Sequence, residues 1–398
     1  MTDEKGFLCG KILGDLGADV IKIEPPCGDR ARNIGPFYHN VPDPEKSLFW
    51  FAYNTSKRGI TLNIESREGK EIFKNLVRSA GFVLESFCPG YMGNLGLGYQ
   101  DLSKINRRII MTSITPFGQT GPYREYKGSD IIATATGGLM FISGDPDRAP
   151  LRFSVEQSYA HAGAQATVAT LIAHHYRELT GEGQYIDVSM QECIVATLFC
   201  VQQYWDLNKY NMPRQGVRSG RGKNSPQVIF PCKDGCVAWR IFTAEQAPKL
   251  IPIVDWMDEE GVAGGAEKVD WAKEDMFKVN QQQMEAWEKP FAKFFLTHTK
   301  KELCDEAYKR GAMLFPVNTP EDLLNSEQLS ARDFWVEVEH PKLETSFLYP
   351  GAPFKSNETS WRISRRAPCI GEHNKEIYEK ELGLSKEQLI ILKQANVI

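Results

Sequence analysis

Apolar positions in the first part of the chain fall into two alternating registers. Leu8, Ile12, Leu13 and Leu16 recur at helical spacing, which predicts a helix over Leu8–Gly17 that Gly17 ends. Asp19-Val-Ile-Lys-Ile23 follows as a short strand with Glu24 at its carboxyl end, and a Pro/Gly loop runs from Pro25 to Gly35. Further strands are predicted at Gly59–Asn63, Gly81–Ser86 and Ile109–Ile114, with a helix over Glu68–Ser79 between the first two. A glycine–proline segment, Pro116–Pro122, comes after the last of these. Strands alternating with helices predict an open α/β sheet wrapped by helices.

The Ala-rich stretch Gln157–Glu178 holds a single glycine, Gly163, and predicts a long buried helix. Thr180-Gly-Glu-Gly183 stops it, and Tyr185–Met190 returns as a strand. Asn211–Ser225 is polar, basic and Gly-rich, the composition of a linker or a ligand-facing loop. Strand-like pieces at Val228–Pro231 and Cys236–Arg240 precede amphipathic helices, which suits a second, smaller α/β domain. A strand is predicted at Phe334–Glu339 and a helical tail at Lys375–Leu382. The expected division is a large domain from residues 1–210 and 330–398 and a small one from 226–320, with 211–225 and 321–329 as linkers.

Composition narrows the classes. The chain has 398 residues, 42% hydrophobic and 25% charged, which is that of a globular protein long enough for two or three lobes. A net charge of -4 offers no basic excess for nucleic acid or an anionic membrane. No apolar run reaches the ~20 residues of a membrane span, and the opening residues carry no signal-peptide apolar region. Nine scattered cysteines without a CxxC pair predict reduced thiols and a cytoplasmic protein, and Cys232 and Cys236 lack the further ligands of a zinc site. No tightly bound cofactor or metal is expected.

Generic motifs add little: there is no GxGxxG after a strand, no Walker loop, no GxSxG and no HExxH. Gly93-Asn-Leu-Gly96-Leu-Gly98 reads as a turn, so a dinucleotide enzyme is a weak alternative. Longer strings carry more. Leu13-Gly-Asp-Leu-Gly-Ala-Asp-Val-Ile-Lys-Ile-Glu-Pro-Pro26, Asn54-Thr-Ser-Lys-Arg-Gly-Ile-Thr-Leu-Asn63 and Phe87-Cys-Pro-Gly90 appear in that order. Thr180-Gly-Glu-Gly-Gln-Tyr-Ile-Asp-Val-Ser-Met190 and Gly371-Glu-His-Asn374 complete the series. Together they resemble the class III CoA-transferases, the group also named after carnitine dehydratase and bile-acid CoA-transferase, over nearly the whole chain.

That resemblance implies a large Rossmann-like domain, a small α/β domain and two interlocked chains. It also implies a chemistry. An Asp carboxylate attacks an acyl-CoA thioester to give a mixed anhydride, the released CoA thiolate converts this to an enzyme thioester, and an acceptor acid reverses the sequence. CoA and acyl-CoA are therefore substrates. Carried over by position, Arg32 falls near the nucleotide and Leu62, Asn63, Ile64 and Glu65 form the segment whose backbone contacts the adenine side. Lys127 is a CoA-contacting lysine, and Asp130 lies close to the reaction centre. Asn94 departs from the arginine that the family often places there.

The nucleophile departs further. Two registers, one from Gly163 and one from Thr180-Gly-Glu-Gly183, place Tyr159 where the resemblance calls for Asp. Glu156, three residues upstream, is the nearby carboxylate, and His161 is a candidate acid or base. Three expectations follow: Glu156 is the nucleophile, a homologous subunit supplies the Asp, or the chemistry has changed. The second is preferred, with a homodimer or a heteromer as the assembly. A catalytically inactive CoA-binding or structural subunit is the alternative from another class. An acyl-CoA racemase is the other enzyme reading, but Ser129 stands where its His belongs. The family's usual first strand is also missing ahead of the first helix. Arg214, Arg218, Arg221 and Lys223 are candidate acid-binding cations, and Tyr204, Trp205 and Trp239 candidate acyl-pocket aromatics.

Overall fold

A parallel pair and a parallel triplet of strands form the centre of the larger of two units in the computed structural model, which describes residues 1–220 and 223–398. The larger unit comprises Met1–Leu139, Phe153–Gln203 and Gln328–Ile398, the smaller Met140–Arg152 and Tyr204–Glu327. Both stretches expected as linkers differ from this division. Residues 211–225 fall within the smaller unit, 321–329 straddle its end, and 140–152 belong to it rather than to the large domain.

In the larger unit β1 (Val20–Glu24) pairs with β2 (Lys57–Thr61), and β3 (Phe82–Glu85), β4 (Ile110–Thr115) and β5 (Tyr185–Ser189) pair in that order, all parallel. Every residue of β4 is buried, which is why it reads as an apolar run rather than an alternation. An antiparallel hairpin of β9 (Trp335–His340) and β10 (Thr345–Pro350) lies in the same unit. The strands predicted from sequence all form, with ends shifted by at most two residues.

Helix α1 (Phe7–Asp15) buries Phe7, Cys9 and Leu13. After α2 (Leu48–Tyr53) comes α3 (Arg67–Ser79), whose Ser66 caps it by accepting the Gly69 N–H at 3.0 Å while Ile72, Phe73 and Val77 enter the core. Gly69 is required there, because a Cβ would sit 1.9 Å from the Asn63 carbonyl oxygen. A short helix α4 (Asp130–Thr136) precedes the long α5 (Gln157–Thr180), and α6 (Met190–Thr197) follows β5. Small residues line the inner side of α5: Ala162, Gly163, Ala166, Thr167, Thr170 and Ala173. They let α1 cross it closely. A Cβ on Gly163 would lie 2.8 Å from the Leu8 Cβ.

The family-like strings turn out to hold this fold together. Lys57 is buried and donates to the Phe7 and Tyr53 carbonyls and to Asn54 Oδ1, each at 2.9 Å. Ser56 donates to Asp15 Oδ1 at 2.6 Å, and Arg58 pairs with Asp19, Glu376 and Glu381. Near the C-terminus, Asn374 and His373 close the outer edge of β2. Asn374 accepts the Thr61 N–H and donates to the Thr61 hydroxyl, while the His373 ring and N–H bond both polar groups of Gly59. Side chains there complete a ladder that no further strand provides. The tail Lys375–Glu381 is π-helical and buries Ile377 and Tyr378.

The smaller unit has an antiparallel sheet of β6 (Ile229–Cys232), β7 (Gly235–Ala238) and β8 (Phe315–Pro316). Its core is aromatic: Trp239 packs at 4.6 Å from Phe291 and edge-on at 5.5 Å from Phe230. No described helix is long and apolar enough to cross a membrane.

Candidate active site

The expected site residues follow the carboxyl ends of parallel strands, where open α/β sheets hold ligands. Glu24 closes β1 and leads to Arg32; Leu62–Glu65 follows β2; the Phe87–Gly90 turn follows β3; the segment to Lys127 and Asp130 follows β4. A hydrogen bond from the Tyr91 hydroxyl to Glu65 Oε1 at 2.7 Å ties the loops after β2 and β3 to one end of the unit.

Arg32 is not placed to greet a nucleotide. Its guanidinium is buried and forms a fork on Glu24, with Nε at 2.7 Å and Nη2 at 2.8 Å, and the remaining donors reach Glu45 and the Pro44 and Pro368 carbonyls. It also stacks on Trp50 at 3.9 Å. All of its N–H groups are spent inside the fold, so its role is to shape the loop after β1. The signal was in the sequence: Glu24, its partner, lies only eight residues upstream.

Lys127 is the opposite case. It is exposed, and no carboxylate among the described residues lies within ion-pair distance of it. Beside it Tyr123 and Tyr126 stack at 5.1 Å, both exposed. In the Leu62–Glu65 segment, Leu62 and Ile64 are buried and the first two N–H groups are already taken, by the Glu24 and Val397 carbonyls. Glu65 is exposed and its N–H bonds Asn63 Oδ1.

Asp130 and the start of α5 form one bonded cluster. Asp130 Oδ1 accepts both the backbone N–H and the hydroxyl of Ser158, each at 2.8 Å, while the Tyr159 hydroxyl accepts the Asp130 N–H at 3.2 Å. Burial pushes the Tyr159 phenol up to about 12, with Glu4, Asp3 and Asp130 adding to the rise. A phenol held neutral at physiological pH is no substitute for a carboxylate nucleophile. Glu156 stands at the N-cap of α5, half-buried; its carbonyl accepts the Ala160 N–H at 3.4 Å, while its side chain makes no cap bond to the helix. Its charge acts on Tyr53, whose phenol is raised by burial first and Glu156 second.

Sequence reasoning missed two carboxylates. Burial pushes up the Glu4 carboxyl, helped by Asp3, and burial likewise raises Glu85 at the end of β3. Their sequence neighbourhood gives no signal, because their setting comes from tertiary packing. The candidates in the Gly-rich stretch also resolve. Arg214 donates to the Phe141, Asp145 and Arg148 carbonyls, and Arg218 pairs with Glu288 at 3.0 Å. Lys223 is exposed, and Arg221 lies outside the described residues. Trp239 is core of the smaller unit, and Trp205 is exposed. Among the described residues no group of His, Cys, Asp and Glu is arranged to hold a metal.

Comparison with known proteins agrees with the fold. The family described as CoA-transferase family III matches residues 5–374. Among curated proteins, the succinyl-CoA:(R)-benzylsuccinate CoA-transferase subunit BbsE of Thauera aromatica is 35% identical, covering 95% of this chain and 91% of its own length. The succinyl-CoA–L-malate CoA-transferase beta subunit of Chloroflexus aurantiacus is 30% identical, covering 98% and 94%. A solved CAIB/BAIF family protein from Brucella suis superposes with a TM-score of 0.80 at 26% identity, covering 94% of each chain. The chain belongs to CoA-transferase family III, and CoA transfer between acyl-CoA thioesters and carboxylic acids is the reaction this fold serves.

Proposed function

We propose that this chain works as one subunit of a heteromeric CoA-transferase in which a homologous chain supplies the nucleophilic Asp. The observation that carries this is Tyr159: the position called for by the family pattern holds a neutral phenol bonded to the Asp130 backbone. Two of the relatives above are named as subunits, which supports an assembly of this kind. The outer face of α5 supports it too. Val168, Leu171, Ile172, Tyr176 and Leu179 lie exposed along one stripe, with Leu179 74% exposed. A second chain, interlocked or side by side, would cover that stripe.

In this reading Lys127 pairs with a phosphate of CoA, the Leu62–Glu65 backbone borders its adenine end, and Asp130 positions the start of α5. CoA enters as substrate and leaves as product. The nine free cysteines suit a reducing, cytoplasmic setting.

The test is exchange of labelled CoA between thioesters and free acids, with the chain alone and with a homologous chain encoded beside it. Hydroxylamine or borohydride trapping then locates the enzyme thioester. Label on the partner's Asp, with activity only in the mixture, is expected. Full activity of the chain alone, with label on Glu156 or Glu4, sinks the heteromeric reading.

A further inference from the structure

At the amino ends of β1 and β2, the opposite end of these strands from Leu62–Glu65, the larger unit holds a cavity of about 440 Å³. Its lining comes from the last turn of α1, Asp19 at the foot of β1, the start of β2, residues 360–365 and the tail Lys375–Glu381. A space of that size holds a small molecule.

Charges of both signs border it. Arg58 is buried and binds three carboxylates: Asp19 with its Nε at 2.9 Å, Glu376 at 2.8 Å, and Glu381. Three acids against one guanidinium leave two negative charges in excess. The last turn of α1 adds its negative dipole end to the same lining. Asp15 adds nothing further, because Lys11 pairs with it at 2.7 Å. The segment 360–365 contributes the opposite sign. Arg362 and Arg365 are exposed in the lining, and neither forms an ion pair with a carboxylate of the described residues. Arg365 meets only the His373 ring, at 3.4 Å.

Backbone bonds pin that segment. The Arg362 N–H donates to the Asp15 carbonyl and the Ser56 N–H to the Arg365 carbonyl, both at 2.9 Å, and the Ser364 N–H to Ser56 Oγ at 3.1 Å. An excess of each sign thus faces one space without meeting. Simple ions fit this field poorly. A metal would have to displace Arg58 from its carboxylates, and a polyphosphate would be repelled by them. A molecule that carries one carboxylate and one ammonium group satisfies both signs at once.

We propose that this cavity binds a small zwitterion of the amino-acid class, with its carboxylate on Arg362 and Arg365 and its ammonium group beside Asp19, Glu376 and Glu381. The Ser360 and Ser364 hydroxyls, exposed in the same lining, are further partners for the carboxylate. None of the residues expected to contact CoA takes part, so the site stands or falls apart from the heteromeric reading.

The test is calorimetric titration of the chain, at low ionic strength, with glycine, β-alanine, 4-aminobutyrate and 6-aminohexanoate, which space the two charges progressively. Hexanoate and hexylammonium, with one charge each, are the controls. At least one zwitterion is expected to bind about tenfold more tightly than either control, and Arg362→Ala/Arg365→Ala to lose about tenfold of that affinity at unchanged Tm. Absence of binding by all four zwitterions at about 10 mM overturns the proposal. So does hexanoate binding as tightly as they do, which marks a plain anion surface, and so does unchanged affinity in the variant. Where the double variant does not fold, Glu381→Gln takes its place: a loss of about tenfold supports the site, and unchanged affinity overturns it.

Discussion

Tyr159 and Asp130 are joined through the helix start: the phenol oxygen accepts the Asp130 N–H at 3.2 Å, while Asp130 Oδ1 accepts Ser158 N–H and Oγ–H at 2.8 Å. Each of two helices thus holds the first turn of the other. The start of α5 is a structural joint between the two helices.

Tyr159→Phe removes one acceptor from a buried N–H and is expected to cost about 1–2 kcal/mol in urea unfolding. Turnover of the mixed subunits stays within about threefold, less than the 1.36 kcal/mol of a tenfold change. A loss of several orders of magnitude in turnover would show that the hydroxyl takes part in the chemistry. Asp130→Ala, which strips the α5 start of its acceptor, is expected to destabilise by about 2 kcal/mol.

Arg32 and Lys127 separate by readout. Arg32→Ala leaves Glu24 buried and unpaired, with an expected loss of about 3–5 kcal/mol in denaturant unfolding. Lys127→Ala is expected to leave Tm unchanged and raise KM for acyl-CoA about tenfold, the equivalent of one charge-assisted contact of about 1.4 kcal/mol. An unchanged KM removes Lys127 from the CoA site.

Gly163→Ala brings a methyl to 2.8 Å of the Leu8 Cβ and 3.2 Å of the Cys9 nitrogen. The expected cost in thermal unfolding is about 1–3 kcal/mol, reduced by up to ~1 kcal/mol of helix propensity. Gly93→Ala, in a short helix with open space around it, is the control and is expected to be neutral or slightly stabilising.

His340 is buried beside the Tyr349 hydroxyl at 2.8 Å, and burial, then Arg366, pull its imidazole down from 6.5 to about 4. Between those values the unfolded chain binds the proton and the folded chain does not. Stability is therefore full above about pH 6.5 and falls as pH drops toward 4, by ~2–3 kcal/mol. His340→Gln should flatten that part of a pH series of urea midpoints, and an unchanged slope would discount the imidazole.

The sequence made the α/β alternation, α5 and the central strand β4 legible, because burial on both sides writes long apolar or Ala-rich runs. Arg32, expected beside the nucleotide, spends its donors on Glu24 eight residues upstream, a pairing that the sequence spacing allowed but that only the coordinates show. The strings that identify the family lie largely at joints such as Lys57, Arg58 and Asn374, so they specify architecture more firmly than chemistry.

The closure of β2 by Asn374 bears on how the chain is made. On a ribosome, Thr61 emerges 313 residues before the side chain that completes its hydrogen bonds. At ordinary elongation rates that delay is about 15–60 s, during which this strand edge stays open. The segment Tyr204–Glu327 emerges within that interval and can finish its own core first. Nascent chains are therefore most exposed to mispairing while the edge waits, and a chaperone that shields strand edges serves them best before the last few dozen residues are added.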